Sequence, residues 1–253
     1  GVYAIVPFIA WAGLHSGMHQ SAAIAAALLA GVVLSLACEV LNHRLLEKKL
    51  ASPAIHLVSS LGINIVMVQS IVMIWGTQPK VLRVGLDDVV QIGDVILTGS
   101  QIVALCVAFL LLAGFYVWLQ FSNLGLRFRA LADNPVEMAL RGHNVGWLRL
   151  VAFGLSGLFA GTASLCVGFD SGFSPHGGLN ALILAVVAMI VGGRHSFIGP
   201  LAGGLILGLV RSEVAWFLSS RWQEAITFLL LAGFLLLCPG GLLRFRRRLE
   251  ADA

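Results

Sequence analysis

Charged residues are scarce in this sequence, and their scarcity excludes several classes of protein. Asp, Glu, Lys and Arg together make up 11% of the 253 residues, whereas 58% are hydrophobic. A soluble domain usually has about 25% charged residues, and the mean hydropathy here is +0.94. The composition therefore argues against a soluble enzyme, a disordered chain or a nucleic-acid-binding domain and predicts a helical membrane protein. The long continuous apolar runs also disfavour an outer-membrane barrel, whose strands alternate polar and apolar residues.

Sequence motifs for energy coupling and catalysis are missing as well. The chain has no G-x-x-x-x-G-K-[ST] loop, so it cannot hydrolyse ATP by that route. It has neither an arginine ladder nor a series of mid-membrane charges, which argues against a voltage sensor or a proton-coupled pump. Glu39, Arg211 and Glu213 lie near the ends of apolar runs, where we expect interfacial anchors. The four cysteines lack C-x-x-C spacing and the histidines are dispersed, so we predict no catalytic and no metal site.

The apolar runs predict an all-α polytopic membrane protein with about eight hydrophobic segments, since about 20 apolar residues span a bilayer. Two of the segments are too short to span unless neighbours extend or cover them. The full-length segments are Ser21–Leu41, His56–Thr77, Ile102–Phe121, Leu148–Val167 and Ile198–Phe217; Ala225–Cys238 is somewhat shorter, and Val2–Leu14 and Leu179–Val191 are the short or broken helices. We predict a single transmembrane domain over residues 1–253.

The basic residues predict the orientation of the chain, because cytoplasmic loops are enriched in Lys and Arg. If both short segments cross, twelve of the sixteen basic residues fall on one side, which we expect to be the cytoplasm, together with the C-terminus. Those twelve are Arg44, Lys48, Lys49, Arg127, Arg129, Arg141, Arg149, Arg194, Arg244, Arg246, Arg247 and Arg248. This asymmetry accounts for the net charge of +4 without a nucleic-acid partner.

The loop at 78–101 is predicted to lie outside and to contain a short β-hairpin, because β-branched residues there are interrupted by glycines. Its acidic residues Asp87, Asp88 and Asp94 either form a solvated cap or meet a basic partner.

The loop at 123–149 is predicted to hold two short amphipathic helices on the cytoplasmic side. Asp133 or Asn134 can cap the second helix, Pro135 suits its first position, and Gly142 suits its C-terminal end. Glu137 then falls in the first turn, where the helix dipole favours a carboxylate. The pattern fits both an ordinary interfacial helix pair and a docking element for a soluble partner.

Glycine is concentrated in the second half of the chain, with fifteen of 29 glycines between Gly142 and Gly208. Two G-x-x-x-G pairs predict close helix packing, and the glycine-rich turn after residue 191 predicts a broken helix of the kind that lines a transport path. Mid-span polar residues either line that path or bond across helices. The candidates for packing or for the path are Asn64, Gly157, Gly161, Gly192, Gly193, Ser196, Gly199, Gly203, Gly204 and Gly208, and further polar residues are Gln69, Ser156, Thr162 and Ser164.

Three sequence blocks in this region resemble the permease subunit of branched-chain amino-acid ABC transporters. The first is Leu124-Gly-Leu-Arg-Phe-Arg-Ala-Leu-Ala followed by Asn134-Pro-Val-Glu-Met-Ala-Leu-Arg-Gly, the second begins with Ala185-Val-Val-Ala-Met-Ile-Val-Gly-Gly, and the third is Pro239-Gly-Gly-Leu. Gly1-Val-Tyr is similar to the Gly-Ala-Tyr that follows the family's first helix, so we expect that helix to be missing from this chain.

The resemblance implies an importer subunit in the bacterial inner membrane that is not itself an enzyme. It implies that the first block, with Arg129, Asn134, Glu137, Ala139 and Gly142, couples to the ATPase. The implied partners are a second homologous permease, two cytoplasmic ATPases that hold ATP and Mg, a periplasmic substrate-binding protein and membrane lipid. The chain itself is expected to need no cofactor.

The substrate and the transport class remain open at the level of the sequence. The resemblance implies hydrophobic amino acids, but the same permease type also imports urea, amides and other small polar solutes. Two other classes stay as alternatives: a stand-alone secondary transporter or channel, which needs mid-membrane carboxylates, and a membrane enzyme, which needs a catalytic pair at membrane depth.

Overall fold

The structure is a computed structural model that describes residues 1–49, 52–83, 89–92, 95–193 and 197–237. It divides into two compact units, Gly1–Gly178 and Leu179–Ala253, called unit 1 and unit 2 below. The prediction of a single transmembrane domain stays a prediction.

Helices make up most of the described residues. In chain order, unit 1 contains α1 (Val2–His15), α2 (Gln20–Cys38), a π-helical turn (Glu39–His43), α3 (Arg44–Lys48), α4 (Pro53–Trp75), β1 (Val89–Ile92), β2 (Val95–Thr98), α5 (Gly99–Phe121), α6 (Asn123–Asp133), α7 (Pro135–Leu140) and α8 (Val145–Asp170). The last three helices are α9 (Gly177–Gly192), which begins at the end of unit 1, α10 (Ile198–Phe217) and α11 (Trp222–Leu237).

The predicted all-α polytopic membrane fold is confirmed. Among the described residues, five helical stretches are long and apolar enough to cross a membrane: Gln20–Glu47, Ala54–Trp75, Gly99–Phe121, Val145–Asp170 and Ile198–Phe217. Three shorter apolar helices, Val2–His15, Gly177–Gly192 and Trp222–Leu237, complete the eight predicted segments.

The predicted end of the second segment at Leu41 is too early. The helix continues through the π-helical turn to Glu47, because a helix does not end where its apolar run ends. The expectation that Glu39 is an interfacial anchor is wrong, since its side chain is buried at 3% exposure.

The core of unit 1 forms around α1. Phe8 is fully buried and meets Phe173 edge-on, with 4.7 Å between the ring centroids, and Trp75 at 5.8 Å. The helix is only 14 residues long, and its burial against α2, α4 and α8 provides the cover that a short apolar helix requires.

The extended segment after α4 is tied to the end of α8. Lys80 and Phe173 exchange two backbone hydrogen bonds of 2.9 and 2.8 Å, and the Leu82 amide donates to the Gly168 carbonyl at 3.1 Å. The Lys80 ammonium lies 3.6 Å from the Trp11 ring centroid, a cation–π contact. Strands β1 and β2 pair antiparallel, with Val89 opposite Thr98, so the predicted hairpin is present. Asp87, Asp88 and Asp94 lie outside the described residues.

In unit 2, Val187, Val191 and Leu207 form a small buried cluster of α9 and α10, with partly buried residues of α11 around it. Arg211 donates hydrogen bonds to Thr227 and Gln223 of α11, at 3.0 and 3.3 Å, so it ties two helices together.

Candidate functional site

The helix pair α6–α7, which we call the coupling segment, is shaped by its own local capping. The Ser122 hydroxyl accepts a hydrogen bond from the Leu124 amide at 3.2 Å and starts α6. Of the two predicted caps, Asn134 is the one used, since its Oδ1 accepts from the amides of Val136 and Glu137 at 3.1 and 3.2 Å. These bonds satisfy amides that have no partner in the first turn of a helix.

The end of α7 also follows the prediction. Gly142 follows Arg141, the C-cap residue of α7, and has φ +80°, the left-handed conformation that favours glycine. Glu137 and Arg141, four residues apart, form an ion pair of 2.6 Å across the exposed face of α7.

The coupling segment exposes three large apolar side chains among charged and polar ones. Leu126, Val136 and Leu140 are 61%, 67% and 83% exposed, whereas Met138 is 6% exposed and faces the rest of unit 1. Ala139 and Arg129 are exposed as well, and the Arg129 guanidinium donates to Gln120 of α5 at 3.0 Å. Exposed apolar side chains of this kind fit either an interfacial helix pair or contact with another protein.

One contact fixes the start of the coupling segment, and another ties down the helix that follows it. Gly125 lies so close to α5 that a Cβ there would lie 2.4 Å from the Leu119 carbonyl oxygen, which leaves no room for a side chain. Directly after α7, Arg149 of α8 forms an ion pair with Glu47 of α3. The first contact holds the segment against α5, and the second holds α8 against α3.

The glycine candidates of unit 1 lie where α2 and α8 approach each other closely. A Cβ at Gly157 would lie 2.7 Å from Ser35 Cβ and 2.9 Å from the Gly31 carbonyl oxygen, so α2 and α8 pack at close range there. One turn later, a Cβ at Gly161 would lie 3.2 Å from Leu28. The Ser35 hydroxyl donates to the Phe153 carbonyl at 2.6 Å and adds a polar contact between the same helices.

In unit 2 the close approach occurs around the glycine-rich turn. A Cβ at Gly192 would lie 1.8 Å from the Gly199 carbonyl oxygen, and one at Gly203 would lie 2.1 Å from the Ala188 carbonyl oxygen. Gly193 adopts φ +101°. Gly204 and Gly208 do not make such contacts within the described residues, so their role in packing stays a prediction, and Ser196 lies outside the described residues.

The polar candidates divide between local bonds and longer contacts. Thr162 and Ser164 donate to carbonyls of their own helix, and Ser164 also borders a cavity of about 260 Å³. Asn64 of α4 is half-buried, and its Oδ1 accepts a hydrogen bond from the amino group of Gly1. No group of three His, Cys, Asp or Glu that could hold a metal ion occurs in the described part of the chain.

Sequence reasoning missed a polar cluster at the π-helical turn. Glu39 Oε2 and Asn42 Nδ2 are buried and have no hydrogen-bond partner among the described residues. Asn42 Oδ1 accepts from Ser59 of α4 at 2.5 Å, and the rings of His43 and His56 stack at 5.7 Å. The only signal in the sequence was a Glu and an Asn close together at the end of an apolar run.

These features define a multi-pass helical membrane protein with an exposed, self-capped helix pair at one end of its first unit. The family model described as "Branched-chain amino acid transport system / permease component" matches residues 1–238, and the chain belongs to this family.

Individual relatives carry corresponding names. The chain is 30% identical over 148 residues to the high-affinity branched-chain amino acid transport system permease protein LivH of Escherichia coli K12, covering 58% of this chain and 48% of the relative. The probable branched-chain amino acid transport permease protein LivH of Methanocaldococcus jannaschii is 31% identical over 151 residues, covering 57% and 48%.

The match to the high-affinity branched-chain amino acid transport system permease protein BraD of Pseudomonas aeruginosa is longer. It is 26% identical over 245 residues, which are 94% of this chain and 79% of the relative. The chain spans about half the length of the LivH relatives that it matches. No solved structure matches the chain.

Proposed function

We propose that this chain is the transmembrane permease subunit of an ATP-binding-cassette importer for branched-chain and other hydrophobic amino acids. The family membership carries this proposal, since the model for a permease component matches nearly the whole chain. A second homologous permease subunit completes the translocation path. Urea, amides and other small polar solutes are the alternative cargo of the same permease type.

The coupling segment of each permease subunit is the docking surface for one ATPase, so that the two permeases together hold two cytoplasmic ATPases. Its exposed Leu126, Val136 and Leu140 support this role, because apolar side chains on a helix pair at the end of a membrane bundle need a protein partner or lipid to cover them. Asn134, Glu137 and Gly142 hold the shape of this surface.

The ATPases lie in the cytoplasm, and a periplasmic binding protein delivers the substrate from the other side. The positions of the basic residues support this orientation: Arg44, Arg127, Arg129, Arg141 and Arg149 all lie at the end of unit 1 that carries the coupling segment. ATP and Mg belong to the ATPases, and this chain needs no cofactor.

Leu140→Glu tests this proposal. Leu140 is 83% exposed, so the substitution leaves the fold of the chain intact while it places a charge in the docking surface. We expect ATP-driven leucine uptake by the reconstituted transporter to fall at least tenfold, because a buried unpaired charge at an interface costs more than the 1.4 kcal/mol that corresponds to tenfold. The matched control is Met18→Glu, an exposed apolar residue of the α1–α2 connection, which should retain uptake. Equal uptake by both variants would reject the coupling segment as the docking surface.

One observation favours a second candidate function, a secondary transporter that works without an ATPase. Glu39 is a buried carboxyl group in a helix long and apolar enough to span, the kind of residue that ion-coupled transport requires. A proton gradient without ATP would then drive uptake by the wild-type chain, and Glu39→Gln would abolish it. The importer proposal predicts no uptake under these conditions.

A further inference from the structure

The π-helical turn Glu39–His43 and the beginning of α4 meet in unit 1 through two pairs of polar side chains. His43 lies beside His56, with 3.4 Å between their Nδ1 atoms, and the Ser59 hydroxyl donates to Asn42 Oδ1 at 2.5 Å. Ser59 follows His56 by about one helical turn and Asn42 is next to His43, so the two contacts together fix the spacing of these elements. Both histidine side chains are half-buried, so water reaches them.

The two histidine rings turn their Nδ1 atoms toward each other. The ring planes are parallel to within 2° and the ring centroids are 5.7 Å apart, whereas the Nδ1 atoms are separated by only 3.4 Å. Each Nδ1 atom therefore lies on the side of its ring that is nearer to the other ring. Phe153 of α8 packs against His43, with 5.2 Å between the ring centroids, and limits the rotation of that ring.

The separation of the two Nδ1 atoms is long for a hydrogen bond and suits a shared metal ion. N–H···O hydrogen bonds in proteins usually measure about 2.7–3.2 Å, and the contact here is 3.4 Å. Two histidine nitrogens that each lie about 2.0–2.1 Å from one tetrahedral zinc ion are about 3.3–3.4 Å apart. The two side chains are therefore spaced as ligands of a single ion, and small rotations about their side-chain bonds would direct both lone pairs to it.

The ligand atoms determine which ions suit this position. Imidazole nitrogens suit zinc, copper and nickel ions, whereas Mg²⁺ and Ca²⁺ prefer oxygen ligands. Within the described residues no third His, Cys, Asp or Glu completes a group of ligands, so water would fill the other positions of the ion. A ligating nitrogen carries no proton, so the proton between the two Nδ1 atoms would move to Nε2 of its own ring, and both rings would stay neutral.

The charges on the same turn favour a cation. Glu39 lies at the other end of the π-helical turn from His43, and its Oε2 is buried without a hydrogen-bond partner among the described residues. An unpaired buried carboxylate is costly, and a nearby divalent cation would offset part of that cost. Arg44, which follows His43, is exposed, so water and salt screen its charge.

We propose that His43 and His56 bind one divalent transition-metal ion through their Nδ1 atoms, and that this ion ties the π-helical turn to α4. The site does not depend on which molecule the subunit transports or on how transport is driven. A hydrogen bond between the two rings, with no metal ion, is the competing interpretation.

Zinc binding to the purified chain in detergent tests the site. The background is a chain whose four cysteines and His19 are replaced by alanine, because thiols and the nearby His15 and His19 could also hold zinc. In isothermal titration at pH 7.5, His56→Gln should weaken zinc binding at least tenfold, and His43→Ala should do the same. Glutamine can still form a hydrogen bond with His43 but lacks the imidazole ligand, so it separates the two interpretations.

A matched control and two further measurements make the test specific. His143→Ala removes an exposed histidine outside the pair and should leave the zinc affinity unchanged. Zinc at one hundred times its dissociation constant should raise the thermal unfolding midpoint of the background chain by about 5 °C or more, and Mg²⁺ should not. Cu²⁺ in place of zinc should show two imidazole nitrogens in its electron paramagnetic resonance spectrum, and a single one in His56→Gln.

Three results would overturn the proposal. They are equal zinc affinity in the background chain and in His56→Gln, no zinc binding by the background chain, and a copper spectrum with a single imidazole nitrogen in that chain. The unfolding midpoint of each variant without metal shows that it is folded, and His56→Gln, the more conservative change, carries the test if His43→Ala is not.

Discussion

Replacement of Gly203 by alanine is expected to destabilise the packing of α9 against α10. The added Cβ would lie 2.1 Å from the Ala188 carbonyl oxygen and 2.8 Å from the Gly192 backbone nitrogen. A carbon–oxygen contact normally lies at about 3.3–3.6 Å, so the helices must separate by roughly 1.2 Å or more. Both contacted atoms belong to the backbone and cannot rotate away as the end of a side chain would.

The cost of this separation can be compared with the packing that it disturbs. Val187 and Val191 are 1% and 2% exposed and lose part of their close contacts when α10 moves. Overpacking of this kind typically costs about 1–3 kcal/mol, and we expect the upper part of that range because the overlap is large.

Gly208 provides a matched control on the same helix. A Cβ there would meet nothing within 4 Å, so Gly208→Ala should stabilise α10 by about 0.5–1 kcal/mol through helix propensity alone. The assay is the thermal unfolding midpoint of the purified protein in detergent. The two single-methyl substitutions should move the midpoint in opposite directions. Equal midpoints would refute the inferred close approach of α9 and α10.

The other substitutions test unit 1. Gly157→Ala should destabilise the contact between α2 and α8 by about 1–3 kcal/mol. Gly154→Ala is the control and should not, because its Cβ would lie at an ordinary 3.6 Å from the Leu36 side chain. Equal unfolding midpoints for the two variants would contradict this contact. Asn134→Ala removes the cap of α7 and should cost about 1 kcal/mol of local stability. The loss should appear as faster proteolysis of the chain between α6 and α8. An unchanged rate of proteolysis would argue against the cap. Glu39→Gln should raise the unfolding midpoint, because an amide is cheaper to bury than an unpaired carboxylate, and a lowered midpoint would indicate a partner for this group.

The sequence predicted best those features that depend on neighbouring residues. The cap at Asn134, the proline at the start of α7 and the glycine after it are all local signals, and the structure confirms each of them. The apolar runs likewise predicted the eight hydrophobic helices, since length and composition decide whether a helix can span.

Features that depend on contacts between distant residues were predicted only in part. Glu39 looks like an anchor at a helix end, but α4 brings Ser59 next to Asn42 and the π-helical turn is buried among neighbouring helices. The position of Gly203 opposite Ala188 depends in the same way on how α10 folds back on α9. Gly203 was one of several packing candidates, and the G-x-x-x-G pattern gave equal weight to Gly204 and Gly208, which make no such close contact within the described residues.

ATP-dependent uptake is the measurement that tests the central claim most directly. The chain, its partner permease, the two ATPases and the binding protein are reconstituted in proteoliposomes, and uptake of labelled leucine is measured with and without the ATPases. The account predicts uptake only when the ATPases, ATP and Mg are all present. Equal uptake by liposomes that contain the permeases without ATPases would contradict it.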